Sequence, residues 1–390
     1  MPGVSKGGSG GRPLRVLWLI RGLGPGGAEH LLLSAAKTHD RSAVLHEAAY
    51  LLPSKDALVP DLEGLGVRTH CLQVRSPADV RWLPRLARLV FGGCFDVVHV
   101  HSPLVAGMAR PLLRLVPSPG HRPALVYTEH NRWTGYHPGT RWLNRLTYPL
   151  DDAHLAVSDD TRSTVSPRLR PGVEVTVQGI ALDRIDGLRS QRAEVRAELG
   201  LSDDDVAVVT VANLRVQKAY PDLLQAAKQV LGENPRVVWL AIGHGPMEAE
   251  LKQLAHSLGL GERFRFLGHC PDAVRIVAGC DIFSLASRYE GYPVAVMEAL
   301  ALGVPVVATA VGGVPEAVEQ GISGLIVPPG QPKLLAAGIL RLASDPALRS
   351  RFGAAALIGG QRYDIATSVR RNEAIYRQLA SVRDGRMGGR

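Results

Sequence analysis

The feature that most constrains this chain is an alternation of short apolar runs with helical patterns, sustained over nearly all of its 390 residues. In the first half the runs are residues 15–20, 44–52, 67–72, 96–100, 124–128, 154–157 and 173–177. In the second half they are 206–212, 237–242, 264–267, 282–285, 304–308 and 325–327. Most are rich in Val, Leu or Ile, as strands buried on both faces are. Between them lie helical periods such as 220–231, 247–258 and 294–302. Such alternation implies βαβ units with right-handed crossovers and parallel sheets. The length is too great for one ordinary domain and suits two of about 150–200 residues. A polar stretch, 183–205, separates the two sets of strands. The expected architecture is therefore α/β, with two doubly wound parallel-sheet domains of Rossmann-like form facing each other across a cleft. A Gly/Ser-rich disordered tail (1–13) precedes an N-terminal domain (14–185), a linker (186–205) and a C-terminal domain (206–360). A C-terminal helix (361–380) is expected to pack back on the N-terminal domain. Ligands of such sheets bind at the carboxyl ends of the strands, which makes the cleft the default active site.

Charge narrows the partners. The chain carries a formal +9, which suits nucleic acid, an anionic membrane or a phosphorylated small molecule. Residues 1–190 hold 23 Lys+Arg against 16 Asp+Glu, a net of +7; the remainder holds 22 against 20, a net of +2. The basic residues do not interleave with aromatics in a nucleic-acid-binding module, so nucleic acid drops out. Cys71, Cys94, Cys270 and Cys280 form no CxxC pair and read as reduced thiols. The first apolar run is too short for a signal-peptide core, and no run reaches the about 18 residues a spanning helix needs. The expected location is cytoplasmic, with peripheral contact at the inner face of the membrane.

Two segments carry chemistry. The first strand runs into Gly22-Leu23-Gly24-Pro25-Gly26-Gly27-Ala28-Glu29, a literal G-x-G-x-x-G before a helix. A dinucleotide site would need a carboxylate at the end of the second strand to hold a ribose, and Tyr50-Leu51-Leu52-Pro53 has none. That leaves a loop approaching another phosphate or a sugar, or a purely structural turn. The second segment is Ser287-Arg288-Tyr289-Glu290-Gly291-Tyr292-Pro293, leading into an apolar helix that carries Glu298. A carboxylate in so apolar a helix is costly to bury without a partner, and ligand hydroxyls would serve. Glu290 sits before the helix start, where free N–H groups can cradle an anion. The alternative is that Glu290 caps the helix and Glu298 pairs with a distant arginine.

The spacing of Glu290 and Glu298 resembles the E-x7-E motif of the retaining glycosyltransferases of family 4. The surroundings are similar as well: Ala299-Leu300-Ala301-Leu302-Gly303-Val304-Pro305, Gly312-Gly313-Val314-Pro315-Glu316, Gly321-Ile322-Ser323-Gly324, Ile242-Gly243-His244-Gly245-Pro246, Phe266-Leu267-Gly268 and Gly26-Gly27-Ala28-Glu29. The resemblance spans roughly 14–380, is stronger in the second half, and implies the two-domain GT-B fold. It further implies transfer of a hexose-type sugar from a nucleotide-diphosphate sugar to a hydroxyl acceptor, with retention. Glu290 would contact hydroxyls of the sugar and Glu298 the ribose. N–H groups around Tyr292, Pro293 and Val294 would face the diphosphate, and Gly26 and Gly27 the donor. Lys218 matches the family's lysine on the diphosphate. Asn213 stands where the family has arginine, and Arg215 lies on the opposite side if the strand persists. The loop Gly268-His269-Cys270 would meet the base through its backbone. His130 would contact the sugar near the anomeric carbon, with His101 a secondary candidate. No cofactor or metal is expected: HExxH and zinc-type spacing are absent, and a lysine with backbone dipoles takes the metal's place.

On the acceptor side, residues 81–89 form an amphipathic helix with Arg81, Arg85 and Arg88 on one face, and Arg110, Arg114 and Arg122 add charge. It suits an anionic membrane, or covers the sheet as an ordinary helix. The aromatic segment 131–149, with Trp133, Tyr136, Trp142 and Tyr148, is the candidate for acceptor contact, the acceptor being lipid- or phosphate-linked. A sugar-nucleotide epimerase would need catalytic acids that are not evident. A catalytically silent sugar-nucleotide binder is the reading that Asn213 favours.

Overall fold

The computed structural model describes residues 12–24, 26–76, 79–117 and 122–387. The expected disordered tail lies outside the described residues as far as residue 11; Arg12 is ordered and holds Asp96 through both guanidinium nitrogens at 2.8 and 2.7 Å. Each apolar run forms a strand. The first seven are β1 (Leu14–Ile20), β2 (Val44–Tyr50), β3 (Arg68–Cys71), β4 (Val97–Val100), β5 (Ala124–Glu129), β6 (Ala153–Ala156) and β7 (Val173–Val175). The rest are β8 (Val206–Val211), β9 (Val237–Ile242), β10 (Phe264–Gly268), β11 (Ile282–Leu285), β12 (Val306–Thr309) and β13 (Gly324–Val327).

The strands make two sheets, in the orders β3-β2-β1-β4-β5-β6-β7 and β10-β9-β8-β11-β12-β13. In the second sheet every neighbouring pair is parallel. Parallel pairing needs a crossover between strands, which the intervening helices supply. The order reverses between β8 and β11, so the loops after these two strands diverge and leave a crevice at their carboxyl ends.

Contacts divide the chain into two compact units. One holds the residues up to Thr128, His137–Leu155 and Val369 onward; the other holds Glu129–Tyr136 and Ala156–Ser368. The core of the first includes Val16, Trp18, Ile20, Val97, Val126 and Tyr376; that of the second is built around Trp239, Phe283, Val208 and Val307. Tyr376 comes from the C-terminal helix Ile365–Met387, and its hydroxyl bonds His99 Nδ1 at 2.6 Å. Residues 186–205, expected as a linker, are instead built into the second unit. Arg192 and Arg196 of the helix Arg192–Glu198 pair with Asp281 at 2.7 and 3.0 Å, and Asp281 also accepts the Ala207 N–H at the start of β8. Polarity marked this stretch as a connection; three charges meeting across 89 residues made it a wall of the domain.

The basic cluster also differs from its expected form. In the helix Trp82–Gly93, Trp82, Leu86 and Val90 are buried. Arg81 is clasped by Asp79 at 2.9 Å, and Arg85 donates to the Leu72 carbonyl at 2.7 Å. Arg110 does not add surface charge, because it is fully buried. It pairs with the equally buried Asp151 at 2.7 Å, donates to Asn144 Oδ1 at 2.6 Å, and lies over the rings of Tyr127 and Tyr148. A buried guanidinium left without its carboxylate is an uncompensated charge. Asp151→Ala should therefore lose about 3–5 kcal/mol in urea unfolding, and Arg110→Met with Asp151→Leu should recover much of that loss.

Candidate functional site

The loop after β8 builds one side of the crevice. Val206–Val211 is a buried apolar strand, and it ends before Asn213. The chain turns through Val216–Lys218 into the helix Tyr220–Glu233, whose Tyr220 hydroxyl bonds back to the Ala212 carbonyl at 2.9 Å. Ala219 takes a left-handed conformation (φ 48°), a cost accepted to turn Lys218 at the strand end. Because the strand does not persist, its alternation does not place Arg215. That residue sits exposed in the turn, its N–H on the Asn213 carbonyl at 2.8 Å, while Asn213 is half-buried.

The loop after β11 builds the other side. Lys218 Nζ lies 2.6 Å from Glu290 Oε1, the central contact of the site. Both side chains are largely out of water, at 16% and 8% exposure. Ser287 Oγ also donates to Glu290 Oε1 at 2.6 Å, and Thr309 at the end of β12 donates to the Ser287 carbonyl at 2.6 Å. The backbone of Arg288 donates to the Gln217 carbonyl at 2.8 Å, stitching the two loops together. Glu290 is thus oriented by a cation and a hydroxyl, and it does not cap the following helix.

Glycines let this loop seat. A Cβ at Gly291 would collide with the carbonyl oxygen of His130, and one at Gly312 (φ 56°) with the carbonyls of Glu290 and Gly291. Close packing at Gly291 brings His130 against the Glu290 segment, and burial holds the His130 imidazole down at a pKa of about 4, so it is neutral near pH 7. His101 is buried beside His99 at the end of β4, with ring centroids 4.2 Å apart.

The helix Val294–Ala301 starts at Pro293, which lends it no side-chain cap. The Val296 N–H reaches the Pro293 carbonyl at 3.1 Å, which leaves the N–H groups of Val294 and Ala295 without an intrahelical acceptor. The Tyr292 hydroxyl is engaged with Tyr363 at 2.9 Å. Glu298 lies one turn further on. Burial raises its carboxyl to about 7, while Arg184 pulls it down and Asp272 pushes it up. Arg184 is itself spent on Asp272 at 2.7 Å, so Glu298 is not ion-paired in the manner of a solvated helix.

The neighbouring strand ends complete the rim. The Gly243 N–H bonds the Gly268 carbonyl at 2.7 Å, and the His244 and His269 rings meet edge-on at 5.2 Å. Gly243 and Gly245 in turn abut the backbone of Ala212 and Leu214. Asn213, Lys218, Gly268, His269, Glu290, Tyr292, Pro293, Val294, Glu298 and His130 thus all belong to the second unit, at or beside the strand ends. Gly26 and Gly27 belong to the first. They open the helix Gly27–Thr38, and the carboxylate of Glu29 lies back over Gly26. Lys55, not singled out from sequence, runs alongside Gly22. Ser287 and Thr309 were also missed; the signal for Ser287 was its place three residues before Glu290.

In the aromatic segment, Trp133 Nε1 and the Tyr136 hydroxyl both bond Glu129, at 2.5 and 2.9 Å. Tyr148 is buried and stacks on His154; Trp142 alone of the four is exposed. No helix among the described residues is long and apolar enough to cross a membrane.

Residues 19–184 match the family described as Glycosyltransferase Family 4, and residues 191–357 match Glycosyl transferases group 1. The N-acetyl-alpha-D-glucosaminyl L-malate synthase of Bacillus anthracis is 25% identical over 71% of this chain and 73% of its own length. The D-inositol 3-phosphate glycosyltransferase of Thermobifida fusca is 34% identical over 68% of this chain and 65% of its own. Among solved structures, Anabaena HepE in complex with UDP and glucose superposes with a TM-score of 0.80 at 22% identity, covering 94% of this chain and all of that one. The fold is GT-B.

The site makes one thermodynamic prediction. The Glu298 carboxyl keeps its proton in the folded chain up to about pH 7, while its ordinary value is 4.5. The folded state thus binds more protons in that window, and stability falls as pH rises through it. Glu298→Gln should remove this slope. Wild-type thermal midpoints should track the variant's near pH 4.5 and fall progressively below them as pH rises towards 7.

Proposed function

We infer that this chain, which belongs to the glycosyltransferases of family 4 type and transfers sugar from a nucleotide-sugar donor, does so with retention at the anomeric carbon. The observation that carries the reading is the Lys218–Glu290 pair at the β8/β11 crossing point. Donor entry would divide that pair. The diphosphate takes Lys218 and the free N–H groups of the helix Val294–Ala301, and sugar hydroxyls donate to the Glu290 carboxylate in its stead. The bond from the anomeric carbon to the diphosphate oxygen breaks as the acceptor oxygen bonds the same face. The departing diphosphate accepts the acceptor's proton. The protein's part is to stabilise charge on the leaving group, which asks for no metal ion and no dedicated base. His130, neutral near pH 7, would accept or donate one hydrogen bond to the sugar.

Glu298 is the natural seat for the ribose, whose two hydroxyls would favour the ionised carboxylate. Nucleotide binding near pH 7 should then release a proton, seen as a buffer-dependent heat in calorimetry and lost in Glu298→Gln. Gly268 and His269 would face the base through their backbone. HepE binds UDP, which makes a UDP-hexose the first donor to try. The inositol-phosphate relatives make a phosphate-bearing hydroxyl compound the first acceptor. That fits the +7 of the first half of the chain, as does an anionic membrane at the inner face of the cell.

Asparagine at 213 brings no charge to the diphosphate, which makes a silent sugar-nucleotide binder the reading to test against, though the glycosyltransferase relatives do not favour it. Glu290→Ala should lose roughly 10²–10³-fold in transfer with the fold intact. Wild-type-like turnover of that variant would sink the assignment. Stabilisation by a UDP-sugar without any transfer would favour the silent binder.

A further inference from the structure

We propose that the outer face of the helix Pro138–Thr147 is an interfacial anchor for an anionic lipid surface. The buried side of this helix is set by chemistry already described. Asn144 accepts from Arg110 at 2.6 Å, the Thr147 hydroxyl accepts from it at 3.2 Å, and Gly107 leaves room for Leu143, whose Cγ would come within 2.7 Å of a Cβ there. These three contacts fix the roll of the helix. At 100° per residue, they send Arg141, Trp142, Arg145 and Leu146 outward together.

The outward stripe is unusual on this molecule. Trp142 is 65% and Leu146 61% exposed, one helical turn apart. Arg141 and Arg145 are exposed beside them, also one turn apart. Among the described residues neither arginine is paired with a carboxylate. Residues 131–150 contain Arg132, Arg141 and Arg145 and not one Asp or Glu. Natural surface helices usually mix both signs, so an acid-free stretch with a protruding indole costs solubility unless it has a use.

The occupant follows from the pattern. Indole and guanidinium groups both favour the headgroup layer, the ring at its apolar edge and the arginine with its stem buried and its head on phosphate. A single two-turn ridge is too small for a specific protein partner, which needs about 800 Å² on each side. It is enough for reversible attachment to a lipid surface. The helix Trp82–Gly93, first read for this role, has its apolar side committed to the interior and Arg81 and Arg85 committed to local partners. The proposal rests on the membrane-facing reading of the acceptor side and names the surface that does it.

Co-sedimentation of the full chain with vesicles tests it. Binding is expected to equal parts phosphatidylglycerol and phosphatidylcholine, and not to phosphatidylcholine alone. Arg141→Glu with Arg145→Glu should weaken it by more than about tenfold, each charge contributing strongly at an anionic surface. Trp142→Ala with Leu146→Ala should weaken it at any ionic strength, whereas the arginine contribution should fade in high salt. Thermal stabilisation by a UDP-sugar, read on the same variants, should match wild type, so a failed anchor is told apart from a failed donor site. Equal binding to both vesicle types, no binding by wild type, or unchanged binding by both variants overturns the proposal. So does a Trp142-dependent doubling of the solution mass, which would make a second copy of the chain the occupant.

Discussion

Close approach of backbone to backbone at Gly291 is the constraint on which the site depends. The segment Glu290–Pro293 can lie where it does only because residue 291 has no side chain to meet the His130 carbonyl, and residue 312 none to meet the carbonyls of Glu290 and Gly291. The left-handed turn at Gly312 and the bond from the Gly313 N–H to the Gly291 carbonyl, 2.7 Å, hold the loop from the other side. With the loop seated, Glu290 faces Lys218, and the helix Val294–Ala301 presents its uncapped start to the same crevice. Parallel strands make this possible, since they deliver their carboxyl ends, and therefore their loops, to one edge of the sheet.

The electrostatics of the site are local. The half of the chain that holds it carries a net charge of only +2. One lysine, one partly desolvated carboxylate pair and a helix terminus form a compact polar patch in an apolar frame. Low local dielectric strengthens each of these contacts. Glu290 stays satisfied by Lys218 and Ser287, whereas Glu298, without such partners, is pushed up to about 7. Two glutamates eight residues apart thus sit in different surroundings: one has a cation within reach, and the other's nearest arginine is engaged elsewhere.

Much of this was legible in the residues. All thirteen strands were, because runs buried on both faces leave no polar alternation to confuse with a helix or a loop. The Glu290–Glu298 segment was legible because carboxylates are rare in apolar helices. What misled was long-range pairing. Arg110 reads as surface charge until Asp151, forty-one residues away, is folded against it. Residues 186–205 read as a linker until Asp281 gathers Arg192 and Arg196. The alternation argument for Arg215 failed for a local reason: the strand ends at Val211, and the chain turns before alternation can apply.

By itself the amino-acid sequence determined the class of fold and the places of the strands along the described chain. Those follow from periodicity and from residue types, which act over a few neighbours. Tertiary structure alone decided that Lys218 meets Glu290 across 72 residues, that Ser287 and Thr309 stand behind that pair, and that Arg110 is internal. It alone turned Trp142 and Leu146 outward together. The reason is that pairing of buried charges and the roll of a helix depend on which side chains are brought into contact, and contact between distant segments is set by the packing of the whole sheet.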